Sequence, residues 1–278
     1  MFHFKYSLII FFFNLCLIYG QSYRFTYNYK FISDTLKKDS IISENMILDI
    51  NSERSIYLSM KKNISDSTML EDSKKGLMTM PDSNISTRYI IKKKYPNLAT
   101  SLITDEFSTS YKFIVSDERP MDWKLTSEKI TIGEYDCQKA EIDFAGRHWV
   151  AWFTEKIPFH DGPYKFRNLP GLIVRIEDSK RYHIFQLKNV KKINNESIYD
   201  DKLNKGTKIR NLDRQEFIKF YKAYRKDPAK EFKQKAMSGD IYYESEEKRN
   251  EHMRLIEKLR EERVKKDNNN IEIDLLKN

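Results

Sequence analysis

Hydrophobic and polar residues alternate with a period of two just after Gly20. In Tyr23-Arg24-Phe25-Thr26-Tyr27-Asn28-Tyr29-Lys30-Phe31 every odd position is aromatic and every even one polar, the signature of a strand with one buried face. A slip of one residue would expose every ring, so the pattern also dictates the register. It recurs at Met46, Leu48 and Ile50 and again at Ile56, Leu58 and Met60, and Asn51 to Ser55 between them reads as a hairpin loop. Residues 61 to 86, rich in Ser, Asp, Asn and Lys, show neither period and read as a long, mobile loop. Weaker alternation predicts strands at Arg88 to Ile91, Leu102 to Ile103 and Tyr111 to Val115. Cys137 to Phe144 and His148 to Ile157 flank Ala145-Gly146-Arg147, a connection suited to a hairpin. Leu172 to Glu177 and Tyr182 to Val190 form another pair across Asp178 to Arg181.

After residue 211 the period changes. Asp213 stands three residues before Glu216 as in a capping box, and Phe217, Phe220, Tyr221 and Tyr224 then fall on one helical face that Asp227-Pro228 stops. Residues 244 to 266 predict a second helix with a thin apolar seam at Met253, Leu255, Ile256 and Leu259, and with Glu261/Lys265 and Glu262/Lys266 pairs. Strands joined by tight turns, followed by helices, predict an α+β, β-rich fold. Its expected form is a curved antiparallel sheet over 21–210, with a charged helical segment, 211–278, packed on or beside it as part of the same folding unit.

Composition adds a compartment. Lys5, the apolar run Leu8 to Tyr19 and Gly20 have the order of an export signal, expected to be cut to leave Gln21 first. The run is shorter than the ~20 apolar residues that span a bilayer, so the mature chain is expected to lack a transmembrane segment and to be periplasmic or secreted. The 17 Tyr, 17 Phe and 3 Trp among 278 residues exclude a mostly disordered chain. With two cysteines, one inside the signal, a disulfide scaffold and a cysteine-based zinc site are excluded as well. The 50 Lys and Arg against 41 Asp and Glu give +9, yet only Lys92 to Lys94 and Lys191-Lys192 form short runs. Nucleic-acid binding, which calls for clustered basic residues, is therefore not expected.

Between Cys137 and Ile176 the chain carries Cys137-Gln138-Lys139-Ala140, Gly146-Arg147, Ala151-Trp152-Phe153-Thr154, Gly162-Pro163 and Phe166-Arg167-Asn168-Leu169-Pro170-Gly171-Leu172-Ile173. In these elements and their order it resembles the GLPGLI family, secreted proteins typical of Bacteroidetes, and Asn268-Asn269-Asn270-Ile271-Glu272 resembles that family's terminus. Asn168 stands where the motif has its first Gly. The resemblance implies an exported protein and no assigned reaction. Read physically, Pro170 and Gly171 suit the central positions of a type II turn, and Asn168 tolerates left-handed backbone. Gly162-Pro163 forms a second bend, and Leu169, Leu172 and Ile173 carry the chain back into the sheet. The motif is an architectural corner on this reading and a loop shaping a binding site on the alternative one.

Candidate chemistry is sparse. Cys137, left as a lone thiol, is either a buried small hydrophobe or a nucleophile with His148 or His160 as base. His183 shares a strand face with Phe185 and Leu187 and reads as a core histidine. No metal or cofactor spacing is present. Arg147, Trp149 and Trp152 are candidates for contacting a ligand, and the reading adopted is a non-catalytic, carrier-like binding protein for an apolar ligand or peptide. A thiol-dependent or hydrolytic enzyme centred on Cys137 is one alternative. A secreted module whose charged C-terminal helix binds another envelope protein is the other.

Overall fold

The structure, a computed structural model, describes residues 21–200 and 208–277; the expected export signal lies outside them. β1 (Ser22–Phe31), β2 (Ile42–Ile50), β3 (Arg54–Ser59), β4 (Ile90–Lys94), β5 (Ala99–Thr104) and β6 (Tyr111–Asp117) form one meander. β7 (Lys124–Ile132), β8 (Tyr135–Phe144), β9 (Arg147–Thr154), β10 (Leu172–Asp178) and β11 (His183–Ile193) form a second. They join where β11 pairs with the free edge of β1, and β12 (Lys208–Leu212) adds to β6, giving a 12-stranded sheet in the order β12-β6-β5-β4-β3-β2-β1-β11-β10-β9-β8-β7. Every pairing is antiparallel except β12 with β6.

The aromatic alternation of β1 sets the buried face. Phe25, Tyr27 and Tyr29 are buried, with Tyr23 and Phe31 packed against the same cluster. Partners in register continue that face: Leu48, Met46 and Glu44 on β2, Leu187 and Phe185 on β11. A smaller cluster of Ile47, Ile56, Leu58 and Ile90, covered by Ile198 and Tyr199, lies on the other face. The β2–β3 loop is an Asx turn, in which Asn51 Oδ1 accepts from the amides of Glu53 and Arg54 at 3.0 and 2.9 Å. Phe144 pairs directly with Arg147, leaving Ala145 and Gly146 at φ +55° and +80°, a two-residue turn of type I′ and tighter than the three-residue connection expected.

Four helices are described. The expected loop after residue 60 begins instead with α1 (Met60–Lys74), capped by Ser59 Oγ, which accepts from the Lys62 amide at 3.3 Å. α1 buries no residue, so it needs no apolar period, and an i,i+4 pair of Lys62 with Asp66 at 2.9 Å supports it. α2 (Arg214–Lys226) has the predicted capping box. Its aromatic face packs Phe217 and Tyr221 against Phe113, Val115 and Leu212. α3 (Lys230–Ser238), closed by Gly239 at φ +86°, has no counterpart in the sequence reading. α4 (Glu246–Lys266) buries no residue, as its thin seam implies. β7 and β12, also unanticipated, are almost wholly exposed edge strands, where alternation has nothing to bury.

The corner at 161–173 differs from the expected type II turn. The Gly171 amide donates to the Leu169 carbonyl at 2.8 Å, closing a three-residue turn on Pro170, while the Leu172 amide reaches Ile157 O at 3.1 Å. Gly171 sits at φ +151°, and a Cβ there would lie 2.1 Å from Thr154 O. Asn168 adopts left-handed φ, +69°. Gly171→Ala is therefore expected to destabilise the fold by on the order of 3 kcal/mol or more, and Asn168→Gly to change it by less than about 1 kcal/mol. Urea unfolding of both variants checks the contrast.

Candidate functional site

Two buried ionic assemblies hold the corner. In the first, the Lys93 ammonium, fully buried, contacts Asp161 and donates to the carbonyls of Gly162 at 2.8 Å and Phe166 at 3.2 Å. Asp161 accepts further from Tyr95 Oη at 2.8 Å and the Gly162 amide at 2.7 Å. Burial pulls the Lys93 pKa down, and Asp161 opposes it. Strands also grip the corner directly: Tyr27 Oη donates to Ile173 O at 2.6 Å and Trp123 Nε1 to Arg167 O at 2.7 Å.

The second assembly centres on Glu272, 2% exposed. Its carboxylate contacts Lys165 and accepts from Tyr164 Oη at 2.6 Å, Arg119 at 2.9 Å and Arg214 at 2.5 Å. Asp117 takes Lys165 at 2.7 Å and Arg119 at 2.5 Å, and Asp274 takes Arg214 at 2.6 Å. Three cations thus face three carboxylates. Burial alone would raise the Glu272 pKa, but Lys165, Arg119 and Arg214 outweigh it and hold the group at about 2. Asp117 is held far below the usual carboxylate range in the same way, Arg119 and Lys165 overcoming burial.

The asparagines before Glu272 complete the docking of the tail. Asn268 Oδ1 accepts from the Thr35 amide and hydroxyl at 2.9 and 2.8 Å. Asn269 donates to Ile32 O at 2.6 Å and accepts from Arg147 at 2.7 Å. His183, in the core as expected, bridges Tyr29 Oη at 2.7 Å and Asn269 O at 3.0 Å. Burial, with nearby Arg147, pushes its pKa down to about 3, so it is a neutral hydrogen-bonding element.

Between the aromatic face and this tail lies a cleft of about 700 Å³. Tyr29, Phe31 and Tyr89 come to it from the sheet side, Tyr221 and Tyr224 from α2, Arg263 and Lys266 from α4, and Asp267 and Asn269 to Glu272 from the tail. The Tyr89 hydroxyl is buried and has no hydrogen-bond partner. Across the cleft Glu106 pairs with Arg263 at 2.7 Å. Burial raises the pKa of Glu106 and of Asp267, with Arg263 and Arg225 respectively opposing it most. The lining is mixed: aromatic rings on the sheet and α2 sides, and charged and hydroxyl side chains on the others.

Arg147, Trp149 and Trp152 are not among the residues lining this cleft. Arg147 is buried, paired with Asp178 at 3.1 Å and donating to Asn270 O at 2.6 Å, so it anchors the tail. Trp149 is fully buried against Phe166, ring centres 4.8 Å apart, with Nε1 donating to Phe144 O at 3.0 Å. Trp152 is half-buried and, by the parity of β9, projects from the opposite face. Cys137 is buried, and burial pushes its thiol up to about 11. His148 faces Asp143 at the turn end of the β8–β9 hairpin, Cys137 lies toward the other end, and no thiol–base pair forms. Of the motif, Gly162, Pro163, Asn168, Leu169, Pro170, Gly171, Leu172 and Ile173 build the corner. The cleft residues Tyr89, Glu106 and Arg263 carry no spacing that would have singled them out.

Among the described residues no group of His, Cys, Asp and Glu is arranged to hold a metal ion, and no helix is long and apolar enough to cross a membrane. Residues 145–175, which span β9, the corner and most of β10, match a family described as "Protein of unknown function (Porph_ging)". No curated protein matches the sequence. Among solved structures, PNGF-II in the P21 space group is similar with 19% identity and a TM-score of 0.48 over 71% of this chain. PNGF-II in the C2 space group is similar with 20% identity and the same TM-score over 70%. The matched part spans 32% of the PNGF-II chain in each.

The Glu272 assembly makes stability depend on acid. Because its folded-state pKa is depressed from 4.5 to about 2, its contribution is fully present above about pH 4.5 and is lost as pH falls towards 2. Glu272→Gln, which leaves buried cations uncompensated, is expected to lose roughly 3–5 kcal/mol at pH 7 and to flatten the stability profile over that window, as urea titrations at several pH values would show. A flexible, non-docked tail would leave both unchanged.

Proposed function

We propose that the chain is an exported, non-catalytic binding protein of the GLPGLI type, which holds an apolar ligand or an apolar peptide segment in the cleft between its aromatic face and its C-terminal helices. One observation carries the reading: a cleft of about 700 Å³ is walled by the rings of Tyr29, Phe31, Tyr89, Tyr221 and Tyr224. Ring faces of this kind take apolar groups, and the charged and hydroxyl side chains at the rim can meet one polar end of a ligand. The volume lies in the range of small-molecule sites. The high pKa of Cys137 supports a binding role over a thiol mechanism, because the thiolate is the nucleophile. Export is supported by the basic, apolar and small-residue order of residues 1–20.

Protein purified from its own cell envelope is expected to begin at Gln21 and to show, by native mass spectrometry, a bound species released on denaturation. Ser86→Trp, at an exposed position lining the cleft, should reduce that occupancy without unfolding the sheet. An empty protein in both forms would remove the binding role.

A further inference from the structure

The polar face of the sheet holds a second feature that the linear sequence disperses. Asn28 on β1 faces Gln186 on β11, which in turn faces Arg175 on β10, so three hydrogen-bonding side chains form one row across three strands. Lys30 stands one step along β1 on the same face, Lys188 marks the bulge in β11 where the β1 register shifts, and Arg181 comes from the β10–β11 turn. Together with Ile184 these residues line a depression of about 190 Å³. Four cations line it and no carboxylate does. Glu177 is the acid that pairs with two of them, Arg175 at 2.6 Å and Arg181 at 3.7 Å. Lys30 and Lys188 form no ion pair among the described residues. The Arg175 Nε–H is closed off from solvent and meets no acceptor.

We infer that this depression binds a phosphate-type oxyanion, free or as the phosphomonoester headgroup of a lipid, with Arg175 and the two unpaired lysines as its principal contacts. A tetrahedral dianion fits the size and neutralises the lysines beside the Arg175 guanidinium, while Gln186 offers a neutral amide donor in line with it. The site lies on the face opposite the aromatic cleft and stands whether or not that cleft binds anything.

The full mature chain is titrated with inorganic phosphate at low ionic strength by calorimetry, alongside Lys30→Gln/Lys188→Gln, Arg175→Gln and, as a control of equal charge change, Lys191→Gln/Lys192→Gln. A parallel series uses phosphatidylcholine vesicles with and without phosphatidic acid. Saturable binding that weakens about tenfold or more in Lys30→Gln/Lys188→Gln and in Arg175→Gln, but stays within about twofold in the control, is the expected result. Binding to free phosphate assigns a soluble source, and binding confined to the phosphatidic acid vesicles assigns the headgroup. Absence of saturable binding in both series, or equal weakening in the control, overturns the site. Lys30 and Lys188 are exposed, so their double variant tests it even if Arg175→Gln perturbs the sheet.

Discussion

The burial of Glu272 is the constraint on which the molecule is organised. A carboxylate in that position is tolerable only with cations in contact, and the three that serve it come from the β6–β7 connection (Arg119), the corner (Lys165) and the start of α2 (Arg214). The docked residues 268–276 therefore depend at once on the corner, on the end of β6 and on the start of α2. In return, the docked tail brings Asn269 to Arg147, His183 and Ile32, stitching the end of the chain to its first strand. The charged segment 211–278 is in this sense two things: α4 lies on the surface, and Asn268 to Leu276 belongs to the interior.

What could be read from the sequence divides along the same line. Strands with one buried face announced themselves, β1 most clearly, because burial writes a period of two into the side chains. The capping box and aromatic face of α2 were equally legible. Elements that bury nothing, such as α1 and β7, or a single side chain, such as β12, left no period to read. The ligand candidates illustrate the other limit. Trp149 and Trp152 were candidates for a ligand surface, yet Trp149 fills the core and Trp152 faces the other way, because a difference of three positions along a strand reverses the face. Tyr89 and Glu106 flank the β4–β5 hairpin, and Arg263 reaches them only through the return of the C-terminal helices, which no local pattern encodes.

Basic residues show this most plainly. Along the chain they looked evenly spread, with short runs at 92–94 and 191–192. Folding does something different with them: Lys93 goes into the core against Asp161, and Lys30 on β1 joins Arg175, Arg181 and Lys188 of the β10–β11 hairpin, far from it in sequence. Charge clustering in an antiparallel sheet is a property of register, since cross-strand neighbours on one face lie about 5 Å apart whatever their separation in the chain.

The corner shows why asparagine can hold one of its turn positions whereas another admits only glycine. Position 168 needs left-handed φ, which asparagine supplies, and its amide still reaches His160 O at 2.9 Å. Position 171 needs both a φ that side chains avoid and contact with the β9 backbone at Thr154, closer than any Cβ permits. That contact lets the chain turn back against β9 and enter β10 without a gap, which places Tyr164 and Lys165 at Glu272 and so fixes the tail that walls the cleft. The cleft accordingly has a rigid side, made of the sheet, the corner and Asn268 to Leu276, and a looser side made of α4 and residues 83–88, which contribute no buried apolar side chain. Opening the rigid side would strand buried charges, so the cleft can widen only on the looser one.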